Sequence, residues 1–131
     1  MTDQQPAAPT GEAAIRVTVM PTDLNPYGGA FGGWIISQMA LAAGSLAARR
    51  SQGRAILVAA DELRFPSGVQ VGEELSVYPA LARQGRTSMT VTAEAWKRDR
   101  HGEGQALAAR GTFTFVAVDD GNRPREIGAA A

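Results

Sequence analysis

The stretch WIISQMALAAGSLAARR, residues 34–50, is the one segment of this chain that reads as a helix, and the rest of the fold has to be arranged around it. At about 1.5 Å per residue it spans about 25 Å. It is apolar nearly all round, ends on Arg49 and Arg50, and meets Gly53 just beyond. Basic side chains in a last turn and a glycine after it are stop signals. A helix that is apolar on almost every face belongs in a core, wrapped on most sides.

The wrapping must come from strands. IRVTVM (15–20) alternates and is rich in β-branched residues, as a strand does. MPTDLNPYGG (20–29) is turn-forming, with Pro21, Asp23, Asn25 and Pro26 ahead of two glycines. After the helix come four strand candidates and no second helix: 55–65, 73–83, 87–98 and 106–119, broken by the hairpin-like PSGVQVG, QGR and DRHGEG. One helix and a long antiparallel meander make an α+β domain with the helix on one face of the sheet. A single helix cannot cover five strands, so part of the sheet or of the helix is expected to be buried by another subunit.

A length of 131 residues allows one core and hence one domain, read here as 14–127, with a disordered lead-in over 1–13 and a frayed end over 128–131. Thirteen basic residues balance thirteen acidic ones, so no net field points to nucleic acid or an anionic membrane. The absence of cysteine removes thiol nucleophiles and Cys-based zinc sites, and the single histidine removes a multi-His metal site within one chain. No apolar run approaches the roughly 20 residues that span a bilayer. The polar, Pro/Ala-rich start MTDQQPAAPTGEAA has no basic region ahead of an apolar one, so a cytoplasmic location is expected.

The chemistry, if there is any, starts at NPYGGAFGGWI (25–35). A helix N-terminus offers unpaired backbone N–H groups and the positive end of the helix dipole. Bare glycine backbone lets a ligand come close, so Gly32, Gly33 and Trp34 could aim N–H groups at a phosphate or at the oxygen of a polarised carbonyl. The alternative is that the glycines only let the turn pack tightly against a strand. Composition and spacing leave both open.

The segments MPTDLNPYGGAFGGWIISQM, VAADELRF, GRTSMTVTAEAW and FTFVAVDDGNRPR closely resemble the YciA-like acyl-CoA thioesterases of the hotdog fold, in the right order and across residues 17–127. The resemblance implies an antiparallel sheet of about five strands wrapped around one central helix. It also implies homodimers with two active sites at each interface, assembled further into tetramers or hexamers. The substrate would be a thioester of coenzyme A, and no separate cofactor, nucleic acid or membrane would be involved.

Two departures stand out. The resemblance puts a polar Asp or Asn two residues before the Phe that precedes Gly-Gly, and here that position is Gly29; it puts a carboxylate directly after SQM, and here that position is Ala40. Gly33, Ser37, Ala40 and Gly44 share a helix face, on which only Ser37 can hydrogen-bond. Its hydroxyl is expected to bond back to the preceding turn.

A replacement acid is sought in VAADELRF. Strand alternation puts Asp61, Leu63 and Phe65 on one face and Glu62 and Arg64 on the other. If the helix covers that first face, burial among apolar side chains would suit Asp61 to taking a proton from water. Otherwise Asp61 is a structural aspartate, capping a helix or paired with an arginine across an interface. Glu62 is the second candidate acid, and its pairing with Arg64 two residues on reads as a surface or interface salt bridge. Asn25 and Asp23 form the turn, with Asn25 in reach of a helper role in positioning water. His101 sits in a charged hairpin and is read as solvated.

For coenzyme A, the resemblance implicates Gly85, Arg86, Thr87 and Ser88 in holding the nucleotide and pantetheine, with Phe31 against the substrate at the glycine turn. Arg86 suits a phosphate through its planar fork, and Arg83, Arg123 and Arg125 are candidates for added charge around the same mouth. Trp96, Phe113 and Phe115 are read as core. The leading reading is therefore an acyl-CoA thioesterase with Gly32 and Gly33 as oxyanion hole and Asp61 as base. The alternative is an acyl-CoA-binding hotdog protein of weak or no activity. Hydration of an enoyl thioester, a third possibility, wants an Asp–His or Glu–His pair that a single histidine in a hairpin does not supply.

Overall fold

A computed structural model describes residues 7–128. The elements run β1 (Ile15–Thr18), a short 3-10 turn (Pro21–Asp23), α1 (Gly32–Ser51), β2 (Ala55–Arg64), β3 (Glu74–Gln84), β4 (Ser88–Arg98) and β5 (Gln105–Ala117). The strands form one antiparallel sheet in the order β1-β3-β4-β5-β2. This is the α+β arrangement expected, with α1 packed against β2, β3, β4 and β5. Much of the lead-in read over 1–13 and most of the end read over 128–131 fall outside the described residues.

The pleat explains the layering. In β4 the buried residues Met89, Val91, Ala93 and Ala95 alternate with Thr90, Thr92 and Glu94 on the outer face. In β5 Phe113, Phe115 and Ala117 point inward between Thr112 and Thr114. Alanines at 93, 95, 108 and 109 are fully buried, and so are Ala42, Ala43 and Ala47 of α1. Small side chains on both surfaces let helix and sheet approach closely, and Met39, Phe113 and Phe115 fill the space that remains.

The helix starts two residues earlier than its apolar run suggests, at Gly32, and it is not wrapped on most sides within one protomer. Gly33, Ser37, Leu41 and Ser45 form an open stripe at four-residue spacing, and Leu41 is 63% exposed. The edge strand β2 is similarly bare, with Val58 58% exposed and Ile56 and Leu57 also open. Apolar surface on one sheet edge and one helix stripe is what a second subunit would cover.

The helix end differs from expectation in an instructive way. The left-handed residue is Gln52 (φ 54°), not Gly53. Gly53 is bare for another reason: a methyl built there would lie 2.5 Å from the Arg125 guanidinium. Arg125 donates from Nη1 to the Ser51 carbonyl (2.8 Å), from Nη2 to Ser51 Oγ (3.1 Å) and the Arg54 carbonyl (3.2 Å), and from Nε to the Val118 carbonyl (2.9 Å). It is thus a structural bolt between the helix C-terminus and the chain after β5, and its expected place at a coenzyme A mouth is corrected. A cation on the last turn also suits the negative end of the helix dipole. Arg125→Ala is expected to destabilise the domain by about 3 kcal/mol, since several charge-assisted hydrogen bonds go at once and partly buried carbonyls lose their partner. Urea unfolding checks this; a midpoint equal to wild type would mean that Arg125 does not hold the helix end to the last segment.

Candidate active site

The 3-10 turn and the glycine loop are tied down before the helix begins. The Asp23 carboxylate accepts the Met20 N–H (2.9 Å), and the Asp23 carbonyl accepts the Phe31 N–H (2.8 Å). Asn25 Oδ1 accepts the Tyr27 N–H at 2.7 Å, so its side chain closes the turn locally. Gly28 takes a positive φ of 103°, which is why that position is glycine. Ala30 donates to the Val69 carbonyl (2.8 Å), and Gly29 bridges to Gln70. The loop that carries Val69 is held in turn by Lys97 Nζ on the Gly68 carbonyl.

What this scaffold presents is a pair of free N–H groups. Phe31 is the N-cap residue and has no side-chain cap; its carbonyl accepts from Trp34 (3.0 Å) and Ile35 (3.1 Å). The N–H groups of Gly32 and Gly33 have no partner among the described residues. They are orphan donors of a helix start, at the positive end of a helix about 30 Å long. The Trp34 N–H, a third donor expected from the sequence, already bonds the Phe31 carbonyl.

Two aromatic rings flank the pair. The Phe31 ring lies over Gly33, where an added methyl would sit 2.6 Å from it, and Phe31 is 54% exposed. Phe65 is the ring nearest Gly32, but it would be 4.0 Å from a methyl there, so the chain's own packing leaves room at Gly32. Tight packing of the turn against a strand accounts for neither glycine: the close neighbour of Gly33 is the exposed Phe31 ring of its own turn, and Gly32 has none. Phe65 also lines a groove of about 730 Å³ at the end of β2, together with Leu63, Pro66 and Leu107, with Arg64 and Arg110 at the rim. Nothing local to Phe65 signals this role, because its segment reads only as the end of a strand.

The polar candidates are distributed unevenly. Ser37 is exposed one turn beyond Gly33, and its hydroxyl has no hydrogen-bond partner among the described residues, so the expected bond back to the preceding turn does not form. Ala40 is partly buried, and a side chain built on Gly29 would meet only ordinary contacts, 3.5 Å from the Val69 carbonyl oxygen and 3.7 Å from Asn25 Nδ2. No ionisable side chain stands on the open helix stripe.

The expected face of Asp61 is corrected. Asp61 pairs with Thr112, and Ala60 pairs with the fully buried Phe113, so Asp61 points to the outer face of the sheet, away from α1. It lies there with Arg83, Thr90, Thr92 and Thr114. The reason is a β-bulge between Asp61 and Arg64, with Glu62 at φ 54°, which breaks the strict alternation. Leu63 stays inward, against Gly111. Glu62 accepts a hydrogen bond from Thr112 Oγ1 (3.3 Å) and makes no ion pair with Arg64 among the described residues. Arg64 instead stands across from Arg110.

Gly85–Ser88 forms the tight β3–β4 hairpin, closed by the Gly85 N–H on the Ser88 carbonyl (2.8 Å), with Arg86 and Thr87 at its tip. The Thr87 carbonyl accepts from Ala117, and Ala117 pairs with Ala55 at the start of β2. This hairpin is thus at the helix C-terminal end, whereas Gly32 and Gly33 are at the other. The two halves of the expected site do not meet within one protomer. His101 is exposed in the β4–β5 hairpin, and no cluster of three or more potential metal ligands occurs among the described residues. No helix of the structure is long and apolar enough to cross a membrane.

Comparison with known proteins fits this geometry. Residues 27–103, which include the glycine loop, the helix and the 85–88 hairpin, match the family described as the thioesterase superfamily. The chain is similar to an uncharacterized acyl-CoA thioester hydrolase of Zymomonas mobilis, 46% identical over 125 residues that cover 95% of this chain and 84% of that one. It is 34% identical to the acyl-CoA thioester hydrolase YciA of Escherichia coli over 91% of this chain and 92% of the other. Among solved structures it resembles an aspartate-to-alanine mutant of a hexameric broad specificity acyl-coenzyme A thioesterase, with a TM-score of 0.86 and 34% identity over 91% and 88% of the two chains. With its single helix against one five-stranded antiparallel sheet and these relatives along nearly its whole length, the chain is a hotdog-fold member of the thioesterase superfamily.

Proposed function

We propose that the protein hydrolyses acyl-CoA thioesters at sites shared between two copies of the chain, and that its catalytic power comes mainly from the Gly32–Gly33 cradle. The observation that carries the reading is the pair of unpartnered N–H groups at the helix start, flanked by Phe31 and Phe65. The thioester oxygen accepts from both. As water adds to the carbonyl carbon, negative charge grows on that oxygen next to the helix dipole and in apolar surroundings, where such donors act most strongly. The C–S bond then breaks, coenzyme A leaves as its thiolate, and the acid is released. Water is the only co-reactant, and no cofactor is needed.

The halves come together if two β2 edges pair antiparallel about a two-fold axis. That pairing covers Ile56, Leu57 and Val58 and brings the partner's 85–88 hairpin, which lies beside the start of its β2, toward this chain's helix start. Arg86, Thr87 and Ser88 then hold the nucleotide end, the pantetheine runs between subunits, and the groove walled by Phe65 receives apolar parts of the substrate. The relative described as hexameric supports assembly of such dimers into a trimer of dimers.

One observation favours a second reading. The open stripe Gly33–Ser37–Leu41–Ser45 has no base, and Ala40 stands where the family resemblance places a carboxylate. On that reading the protein binds acyl-CoA and turns it over slowly, with Ser37 orienting water at most. Thiol release from short-, medium- and long-chain and aryl CoA esters, measured alongside sedimentation of the same sample, tests both. Turnover by an oligomer is the expected result; a monomer with full activity, or no turnover of any ester, would refute the shared-site hydrolase.

A further inference from the structure

We infer that Glu126 is an internal counter-ion for Arg86, occupying the anion site of the 85–88 hairpin until a phosphate of coenzyme A displaces it, and thereby setting how tightly CoA esters bind. The inference rests on the reading of Arg86 as a coenzyme A contact.

After β5 the chain turns back as a strap alongside that hairpin. Arg125 donates its N–H to the Ala117 carbonyl (2.9 Å), and Ile127 donates to the Arg86 carbonyl (2.8 Å) with its own side chain buried. The Arg125 guanidinium bolts the strap to the helix end. Glu126 therefore sits between two anchored residues, and its backbone position beside Arg86 is fixed rather than incidental. Glu126 Oε2 lies 3.8 Å from Arg86 Nε, with the two side chains 72% and 81% exposed.

That geometry is weak for stability and well placed for competition. It is a single contact rather than a two-pronged fork, and water screens it, so it adds little to folding. A phosphate, with more charge and several oxygens, can engage the guanidinium fork on two sides and outcompete the carboxylate. The neighbouring cations are already committed: Arg125 to four carbonyl and hydroxyl contacts, and Arg54 to the carbonyls of Asp119 and Asp120 and to Asn122 Oδ1. Arg86 makes no hydrogen bond through its side chain among the described residues, so its one pairing is with an acid that coenzyme A must push aside.

The test is calorimetric binding of coenzyme A itself to the intact oligomer at about 20 mM and about 300 mM salt, where screening of exposed charges differs severalfold in range. Glu126→Gln is expected to lower Kd about threefold at low salt, with the gain shrinking toward none at high salt, because the effect is a screened charge. Arg86→Gln is expected to raise Kd. Glu103→Gln, an exposed acid on the opposite hairpin, removes the same charge and is expected to leave Kd unchanged. An unchanged or weaker Kd in Glu126→Gln, or the same ratio at both salts, overturns the counter-ion while leaving Arg86 in the site. An unchanged Kd in Arg86→Gln overturns the site reading, and the counter-ion with it.

Discussion

Replacing Ala40 with aspartate is expected to raise kcat for acyl-CoA hydrolysis by roughly 100-fold, the lower end of what a positioned general base contributes. The helix carries position 40 two turns beyond Gly33 and on the same side, so a carboxylate there would face the same cleft into which the Gly32 and Gly33 N–H groups open. Ala40 is partly buried at the margin of the core, beside the open stripe, so circular dichroism and urea unfolding of the variant are read alongside its kinetics. Most of the gain should fall on kcat, because the base acts in the transition state and adds little to ground-state binding. A carboxylate that takes a proton from water must be ionised, so the added rate should fall away in acid as the new group is protonated. Initial-rate kinetics across pH decide it. A variant that folds, binds coenzyme A and is no faster than wild type would mean that water is activated by a group outside the helix.

Gly32→Pro is expected to cut kcat by about 10²- to 10³-fold, the loss seen when one oxyanion donor is removed. Proline is suited to this position. Gly32 is the first helical residue, where a proline's missing N–H breaks no helical hydrogen bond. The residue before it, Phe31, has ψ 130°, which already satisfies the constraint proline places on its predecessor. The substitution therefore deletes one donor and leaves the helix intact, as circular dichroism and unfolding would verify. Gly32→Ala keeps the N–H and meets only the Phe65 ring at ordinary distance, so it should lose much less. Equal losses in both variants would mean that bulk at Gly32, and not its N–H, is what matters.

The fold was legible because its two periodicities are clean. The helix has no charge from Trp34 to Ala48, and β4 alternates buried and less buried residues from Ser88 to Ala95, as β5 does from Gly111 to Ala117. The cradle was legible for a related reason: glycines at a helix start have few explanations, and Gly32 proves free of its own chain's packing. Asp61 was misplaced because alternation assumes one residue per step, and the bulge at Glu62 inserts an extra one. A glutamate in the left-handed region leaves no signature that a pattern of apolar positions can reveal. The arginines of the last segment illustrate the same limit. Arg123 and Arg125 are two residues apart and chemically identical, and only the approach of the helix end makes one of them a bolt. The separation of the glycine cradle from the 85–88 hairpin is likewise a property of strand order and not of any local motif.

That bulged edge has a further consequence, for what the protein avoids. A strand at the border of a sheet is a template on which further strands can stack, and stacking without end produces fibres. Here the opposite border, β1, is only four residues long. The other, β2, is broken twice, between Leu57 and Ala59 and between Asp61 and Arg64. A mate with the matching irregularity can dock once about a symmetry axis. A straight strand from a damaged or half-folded chain finds the row of hydrogen-bonding groups out of step after a few residues, and growth of an aggregate stops there.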